Sequence, residues 1–275
     1  MPELPEVETI MCGLKPHLEG AIIQEVIIRR PHLRWPIPQH LNRDLKEQQI
    51  STVSRRGKYL LIRTDNGTLL IHLGMSGSLQ MVTSATTLKS HDHVDIILSD
   101  DNILRYNDPR RFGAILWTTE DPYQHKLLSS LGVEPLESDF THLYLQQKAL
   151  NRRVAIKPFI MDSHVVVGVG NIYAAEALFL AKLHPNMPAG MLSLIQSQQL
   201  VDAIQTTLRA AIRQGGTTLK DFVNSEGKPG YFAQQLHVYG RAGKPCIQCQ
   251  TTLQSITLGQ RSTVFCEYCQ PPLST

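Results

Sequence analysis

Cys246-Ile247-Gln248-Cys249 and, sixteen residues later, Cys266-Glu267-Tyr268-Cys269 form the stretch against which the rest of the chain has to be read. Two Cys-x-x-Cys pairs at that separation make a tetrahedral thiolate site for zinc. Each pair wraps one side of the ion, and the intervening residues suffice for a β-hairpin that brings the pairs together. Two disulfides or a redox dithiol are the competing readings. The second, matching pair speaks against a redox motif. Disulfides suit secreted chains, whereas this one opens on the acidic Met1-Pro2-Glu3-Leu4-Pro5-Glu6-Val7-Glu8, where a leader would be basic and then apolar. Cys12, the fifth cysteine, reads as a reduced bystander. Four thiolates leave no open position for water or substrate, so one Zn2+ here is structural and the chemistry lies elsewhere.

With 275 residues, 42% of them apolar and 19% charged, the chain has room for two or three globular domains with real cores. No apolar run approaches the roughly 18 residues that span a bilayer, so the expectation is a cytoplasmic protein without a membrane partner. The net charge of +3 would not by itself announce a nucleic-acid binder, but its placement says more. Residues 1–130 hold 15 Lys and Arg against 15 Asp and Glu, whereas residues 131–275 hold 12 against 9, so the excess sits in the half with the cysteines. Basic clusters recur at Arg29-Arg30, Arg55-Arg56-x-Lys58, Arg110-Arg111 and Arg152-Arg153. Each alone reads as solvated surface; several converging on one groove would suit a phosphate backbone.

Residues 3–19 predict a helix. Val7, Ile10, Leu14 and Leu18 step by three and four, carboxylates crowd the first turns, Pro5 fits the first turn, and Gly20 ends it. Pro16 is expected to shorten or kink it. Pro2 is small enough for Met1 to be removed, which would expose a secondary α-amine. An α-amino group titrates at about 7.7–8.0 against about 10.4 for lysine, leaving far more free base near neutrality. Attack on an aldehyde-like carbon would give an iminium, an electron sink for elimination, with Glu3 placed to move a proton. An ordinary Met-Pro start with acidic capping residues explains the same letters, and the sequence leaves both open.

Seven strands are expected at 21–29, 58–64, 68–73, 78–82, 94–99, 103–106 and 114–118, with turns at Asp65-Asn66-Gly67 and Asp100-Asp101-Asn102. They predict an antiparallel sandwich with the first helix packed on it. Two loops carry more than a sandwich needs. His72-Leu73-Gly74-Met75-Ser76-Gly77 sets a methionine between glycines, and Asp108-Pro109-Arg110-Arg111-Phe112-Gly113 sets arginines and a phenylalanine on a proline-led turn. Apolar wedges with a guanidinium suit prying a base from a duplex and filling the gap. Met75 and Phe112 could equally be core residues at loop ends. His91-Asp92-His93 lacks a further ligand and is not read as a metal site.

A linker is expected over 120–137, followed by helices near 138–149, 171–183 and 193–214. The last opens on a Ser193-x-x-Gln196 capping box and stops at Gly215-Gly216. Gly168-Val169-Gly170 before Asn171 is not a dinucleotide fingerprint, since Tyr173 occupies the third position and no parallel sheet surrounds it. The glycines and Asn171 could still meet a phosphate, or Asn171 could be a plain N-cap. Residues 217–232 read as a mobile loop near a site, and Arg261 falls at or near the tip of the cysteine hairpin, able to meet a phosphate.

The ordered set Pro2 to Glu8, Lys58-Tyr59-Leu60, His72 to Gly77, Asp108 to Gly113, Gly168 to Tyr173, Gly227-Lys228-Pro229-Gly230-Tyr231-Phe232 and the four cysteines resembles the bacterial formamidopyrimidine-DNA glycosylase family, the 8-oxoguanine glycosylase/AP lyases, over essentially the whole chain. The resemblance implies an α+β multidomain protein. It would comprise a catalytic N-terminal antiparallel β-sandwich with a packed helix over residues 1–130, a helix-two-turn-helix DNA-binding domain over 131–236 and a C-terminal zinc-finger β-hairpin over 237–275. DNA carrying oxidised purines or abasic sites would lie in a cleft between them, the protein acting as a nucleoid-associated monomer. It implies Pro2 as nucleophile at the sugar C1′, Glu3 as the acid that opens the sugar, Lys58 as an aid to β-elimination and Arg261 in δ-elimination. Guanidinium stays protonated above pH 12, so stabilising the leaving phosphate suits Arg261 better than donating a proton. Met75, Arg110 and Phe112 would fill the vacated stack, Arg110 facing the orphaned cytosine, while His72, His91, Arg152 and Asn171 would contact DNA. Cys246, Cys249, Cys266 and Cys269 would bind the single Zn2+.

Three rivals remain. An endonuclease VIII-like enzyme for oxidised pyrimidines would share the amine chemistry; Leu4 and the Met75/Arg110/Phe112 set favour the purine enzyme. A non-catalytic zinc-ribbon protein would bind duplexes without a covalent intermediate. A tautomerase using Pro2 as a base would leave the zinc hairpin without purpose.

Overall fold

The first helix, α1 (Leu4–Leu18), buries the expected Val7, Ile10, Leu14 and Leu18 together with Leu4. Gly20, at φ +86°, takes the left-handed turn that ends it and gives its N–H to the Ile50 carbonyl. Pro16 sits in the last turn without stopping the helix, where only one intrahelical bond is lost. The structure is a computed structural model, and it describes residues 2–217 and 235–272. The loop expected at 217–232, with Gly227 to Phe232, lies outside the described residues except for Thr217.

Eight strands follow: β1 (Ile23–Ile28), β2 (Ile50–Arg56), β3 (Tyr59–Thr64), β4 (Gly67–His72), β5 (Ser78–Thr83), β6 (Asp92–Leu98), β7 (Asn102–Asn107) and β8 (Ala114–Thr118). They form two four-stranded sheets, β1-β6-β7-β5 and β2-β3-β4-β8, every neighbouring pair antiparallel. Apolar side chains of both sheets and of α1 meet in one core, among them Ile10, Leu14, Val53, Leu60, Ile71, Leu79, Ile96, Leu104 and Ile115. The predicted sandwich with its packed helix is what the chain builds. Strand β2 and the short helix α2 (Leu41–Leu45) were not foreseen. β2 is an edge strand with only Ile50 and Val53 buried and a register shift between Ile50 and Thr52, so it carries no period-two signal.

The described residues divide into two compact units, residues 2–130 with 214–217, and residues 131–213 with 235–272. The second unit holds α3 (His142–Ala149), α4 (Ile156–Met161), α5 (Asn171–Leu180), α6 (Leu194–Arg213) and the hairpin β9 (Gln254–Leu258)–β10 (Arg261–Phe265). Thr141 caps α3 by accepting the Tyr144 N–H. At α6 the predicted capping box is closed both ways: Ser193 N–H donates to Gln196 Oε1 at 3.0 Å, and Gln196 N–H to Ser193 Oγ at 3.2 Å. Helix α4 escaped the sequence because its six residues are too short for a helical period and contain Pro158. No helix among the described residues is long and apolar enough to cross a membrane.

Candidate active site and zinc centre

Pro2 is buried immediately ahead of α1, and Glu3, 3% exposed, is the N-cap. Their backbone is held by Glu6, whose carboxylate accepts the Glu3 N–H at 2.8 Å through one oxygen. The other oxygen accepts both the N–H and the hydroxyl of Thr217, at 2.8 and 2.9 Å. Glu6 is itself buried, so three donors meet a desolvated anion and the start of the chain is fixed. One turn on, Glu8 accepts from Arg55 Nε at 2.6 Å, and Arg55 also donates to the Gly57 carbonyl. This ties the helix to the two-residue turn Gly57-Lys58 between β2 and β3, where Gly57 takes φ +57°. Lys58 therefore stands on a turn braced from α1.

His72 ends β4 directly opposite Tyr59, their rings 4.7 Å apart. Its Nδ1 accepts the Gly74 N–H at 3.1 Å, which leaves the proton of the neutral ring on Nε2. Burial pushes its pKa down to about 4, helped by the positive charges of Lys58 and Arg34, so the ring is a neutral donor at pH 7.

Beyond His72 the two suspected wedge loops pack directly on each other. Gly74, at φ +62°, meets the backbone of Phe112 and Gly113 so closely that a Cβ would collide with it, and a Cβ on Gly113 would collide with the Tyr106 hydroxyl. Between the loops lies Asp108, fully buried. Its carboxylate accepts from Ser76 Oγ at 2.7 Å, Gly113 N–H at 2.9 Å and Tyr106 Oη at 3.2 Å. Burial, and then the charge of Asp108, raise the Tyr106 pKa well above that of an ordinary phenol, so its hydroxyl keeps the proton it donates. Ser76 Oγ in turn accepts the Arg110 N–H at 3.2 Å. The Asp108 carbonyl closes the turn on the Arg111 N–H at 3.2 Å, with Pro109 at its second position and Arg111 at φ +56°. Above this support Met75 is half-buried, Phe112 is 47% exposed, and the Arg110 guanidinium lies 4.9 Å from the Phe112 ring centroid. Phe112 is thus no core residue. His91 is exposed, its carbonyl accepting the Asp108 N–H.

In the second unit Asn171 is the first residue of α5, and Gly170 is the N-cap. Its side chain is spent otherwise: Oδ1 accepts from Lys157 Nζ at 2.7 Å. Lys157, 1% exposed, also donates to Thr263 Oγ1 at 2.9 Å and to the Ser262 carbonyl at 3.2 Å. A buried ammonium thereby fastens β10 to the start of α5. The hairpin turn Gly259-Gln260 has φ +53° and +60°, the left-handed pair a two-residue I′ turn requires, and exposed Arg261 follows directly. Arg152 is exposed on the loop after α3, its backbone bonded to Ala149 and Gly190.

The four cysteine Sγ atoms lie within 4.8 Å of one another, with 3.4 Å between Cys249 and Cys266 and 3.9 Å between Cys246 and Cys269. Zn–S bonds of ~2.3 Å in a tetrahedron require sulfur separations of about 3.8 Å. The Gln248 and Cys269 N–H groups donate to the sulfurs of Cys246 and Cys266. The residues fit one four-coordinate zinc. Phe179, Val238, Leu253 and Val264 cover the site, and Glu176, 2% exposed, holds the approaching chain by accepting the N–H groups of His237, Val238 and Tyr239.

Sequence reading missed Glu6, Asp108, Lys157 and Glu176 as supports. The Glu3-x-x-Glu6 spacing and the Asp-Pro turn were available signals for the first two. Lys157 stands in the apolar run Ala155-Ile156-Lys157-Pro158-Phe159, and no local pattern marks it.

Residues 1–115 match the profile of the formamidopyrimidine-DNA glycosylase N-terminal domain, residues 131–223 that of the H2TH domain of the same glycosylases, and residues 243–272 the zinc finger found in FPG and IleRS. The chain belongs to the formamidopyrimidine-DNA glycosylase family. A formamidopyrimidine-DNA glycosylase of Photobacterium profundum is 54% identical over 270 residues, covering 98% of this chain and all of its own. Among solved structures, a Lactococcus lactis FPG variant in complex with Fapy-dG-containing DNA superposes with a TM-score of 0.91 at 32% identity, covering 98% of this chain and 100% of that one. MutM in complex with carbocyclic 8-oxo-G-containing DNA gives 0.90 at 33%, with coverage of 98% and 100%.

Proposed function

We propose that this chain is a bifunctional DNA glycosylase/AP lyase of base excision repair, removing oxidised purines from duplex DNA and then cutting the strand. The observation that carries the reading is family membership along the full chain, in a family whose relatives are named for the glycosylase activity and are found on lesion-bearing DNA. In this reading the protein works on the bacterial chromosome.

Removal of Met1 frees the Pro2 nitrogen. As free base it attacks C1′ of the everted nucleotide; the N–C1′ bond forms, the nitrogen gives up its proton, and the glycosidic bond breaks, its electron pair leaving with the base, which takes up a proton. The C1′–O4′ bond then opens, O4′ taking a proton from Glu3, and an iminium remains on C1′. Loss of a C2′ proton expels the 3′ phosphate, and a second elimination expels the 5′ phosphate. Lys58 steadies a phosphate and assists the first elimination, and Arg261 stabilises the phosphate that leaves in the second. Met75 and Phe112 enter the emptied stack, and Arg110 faces the unpaired base. His72, as a neutral Nε2–H donor, His91, Arg152 and Asn171 meet the backbone. Asn171 does so while held by Lys157. Zinc supplies rigidity to the hairpin and no chemistry.

Intact mass with and without borohydride, on a duplex bearing 8-oxoguanine opposite cytosine, tests the core of this. A reduced adduct on a chain lacking Met1 is expected; retention of Met1, or no adduct, overturns it. Stronger excision of thymine glycol than of 8-oxoguanine would move the substrate to oxidised pyrimidines.

A further inference from the structure

We propose that Asp108 is the positioning residue for base eversion: it locks the 72–77 and 108–113 loops into one body, so that Met75, Arg110 and Phe112 enter the duplex together. The inference rests on the function proposed above and assigns to that function a residue that touches no DNA.

Four lines of geometry converge on it. Asp108 is fully buried, and its carboxylate takes donors from both loops and from the strand beneath: Ser76 Oγ from the first loop, Gly113 N–H from the second, Tyr106 Oη from β7. Its main chain is tied as well, the N–H to the His91 carbonyl and the C=O to His93 Nε2 at 2.8 Å and to the Arg111 N–H. A carbonyl only accepts, so His93 carries its proton on Nε2. Ser76 relays the hold to the wedge itself by accepting the Arg110 N–H, and it directly follows Met75. At Gly74 the backbones of the two loops approach too closely for any side chain. A carboxylate suits the place best, because its two oxygens accept from opposite sides and each bond is charge-assisted. The amide of asparagine would set an N–H against either Ser76 Oγ–H or the Gly113 N–H and Tyr106 O–H pair. Ser76 could turn its hydroxyl hydrogen away and accept the amide N–H, so that a neutral hydrogen bond would replace the charge-assisted one that joins the two loops.

The test uses the whole protein with zinc bound and an 8-oxoguanine:cytosine duplex carrying 2-aminopurine beside the lesion, whose fluorescence rises as the stack opens. In Asp108→Asn, eversion and 8-oxoguanine release are expected to slow on the order of 10–100-fold, as misplacement by ~1 Å does. Cytosine-over-adenine preference opposite the lesion should weaken with them. In a Phe112→Ala background the same change should add little, since the wedge is already lost. Ser76→Ala and Tyr106→Phe, each removing one donor, should give the same signature in milder form. Normal eversion by folded Asp108→Asn overturns the proposal, and so does full additivity with Phe112→Ala. Collapse of all three variants does so too, by making Asp108 a general folding requirement. Wild-type protein is the separate control: if it neither everts 8-oxoguanine nor is trapped by borohydride, the glycosylase reading itself falls.

Discussion

Two turns in this molecule present an arginine, and they are held by opposite means. The 108–113 turn of the sandwich is fastened from beneath by a buried anion, Asp108, through hydrogen bonds from a serine, a tyrosine and a backbone N–H. The β9–β10 hairpin is fastened by a buried cation, Lys157, and by four thiolates placed for zinc. Removal of one metal ion undoes the hairpin's hold as a whole, whereas the sandwich turn's hold is lost one hydrogen bond at a time. On the proposed function the sandwich turn would be the wedge that enters a duplex, and the hairpin the arm that holds a fixed reach. Loss of the hairpin should therefore abolish binding, and injury to the sandwich site should abolish turnover while binding survives.

The largest break in this contrast comes from the metal. Zinc contributes about 10–16 kcal/mol to the folding of small thiolate sites, so chelation or Cys249→Ser should unfold the hairpin and remove duplex affinity in a gel-shift or anisotropy titration. Undiminished binding after verified zinc loss would contradict it. Pro2→Gly should do the reverse, retaining lesion binding while losing nearly all strand cleavage. Cleavage at the wild-type rate would remove Pro2 from the chemistry. Glu3→Gln, which keeps the shape and loses the proton, should slow sugar opening, read as formation of the borohydride adduct and strand cleavage, by ~10²–10⁴ with binding intact. Lys157→Met takes the donor from Asn171 Oδ1 and Thr263 Oγ1, while the Ser262 carbonyl keeps Asn171 Nδ2, and should cost about 1–3 kcal/mol in urea denaturation, lowering duplex affinity but leaving the borohydride adduct obtainable at saturating DNA.

The smallest effect is in pH. The His72 pKa is lowered from 6.5 to about 4 in the folded protein. The unfolded chain thus binds the extra proton first, and the stability His72 contributes is complete above pH 6.5 and is lost as pH falls toward 4. Thermal midpoints between pH 7 and 4.5 should fall less steeply in His72→Gln than in the wild type.

What could be read in advance follows the same division. Elements with a repeating apolar pattern were legible: α1 from its three-and-four spacing, α6 from its capping box, the cysteine hairpin from its pairs. Elements whose burial is uneven were not. β2 has two buried residues in seven, and α4 owes its helix to packing around Phe159 and Ile160. Among the site residues, those that would touch DNA stand on loops with glycine, proline or paired arginines, and composition drew attention to them. Their supports are single charged residues whose partners lie far off in sequence: Glu6 with Thr217, Asp108 with Ser76, Lys157 with Thr263. Local pattern carries no information about a partner that stands 32 to 211 residues away.

Where Gly74 and Gly113 meet, hydrogens stand in place of side chains and the two main chains abut. Redesign of opposite-base choice therefore has little freedom in the length or course of either loop, because an inserted residue would be transmitted straight into His72 and Tyr106. The freedom lies at the outermost atoms alone, in exchanging the side chain at Arg110 while every glycine beneath it is left untouched.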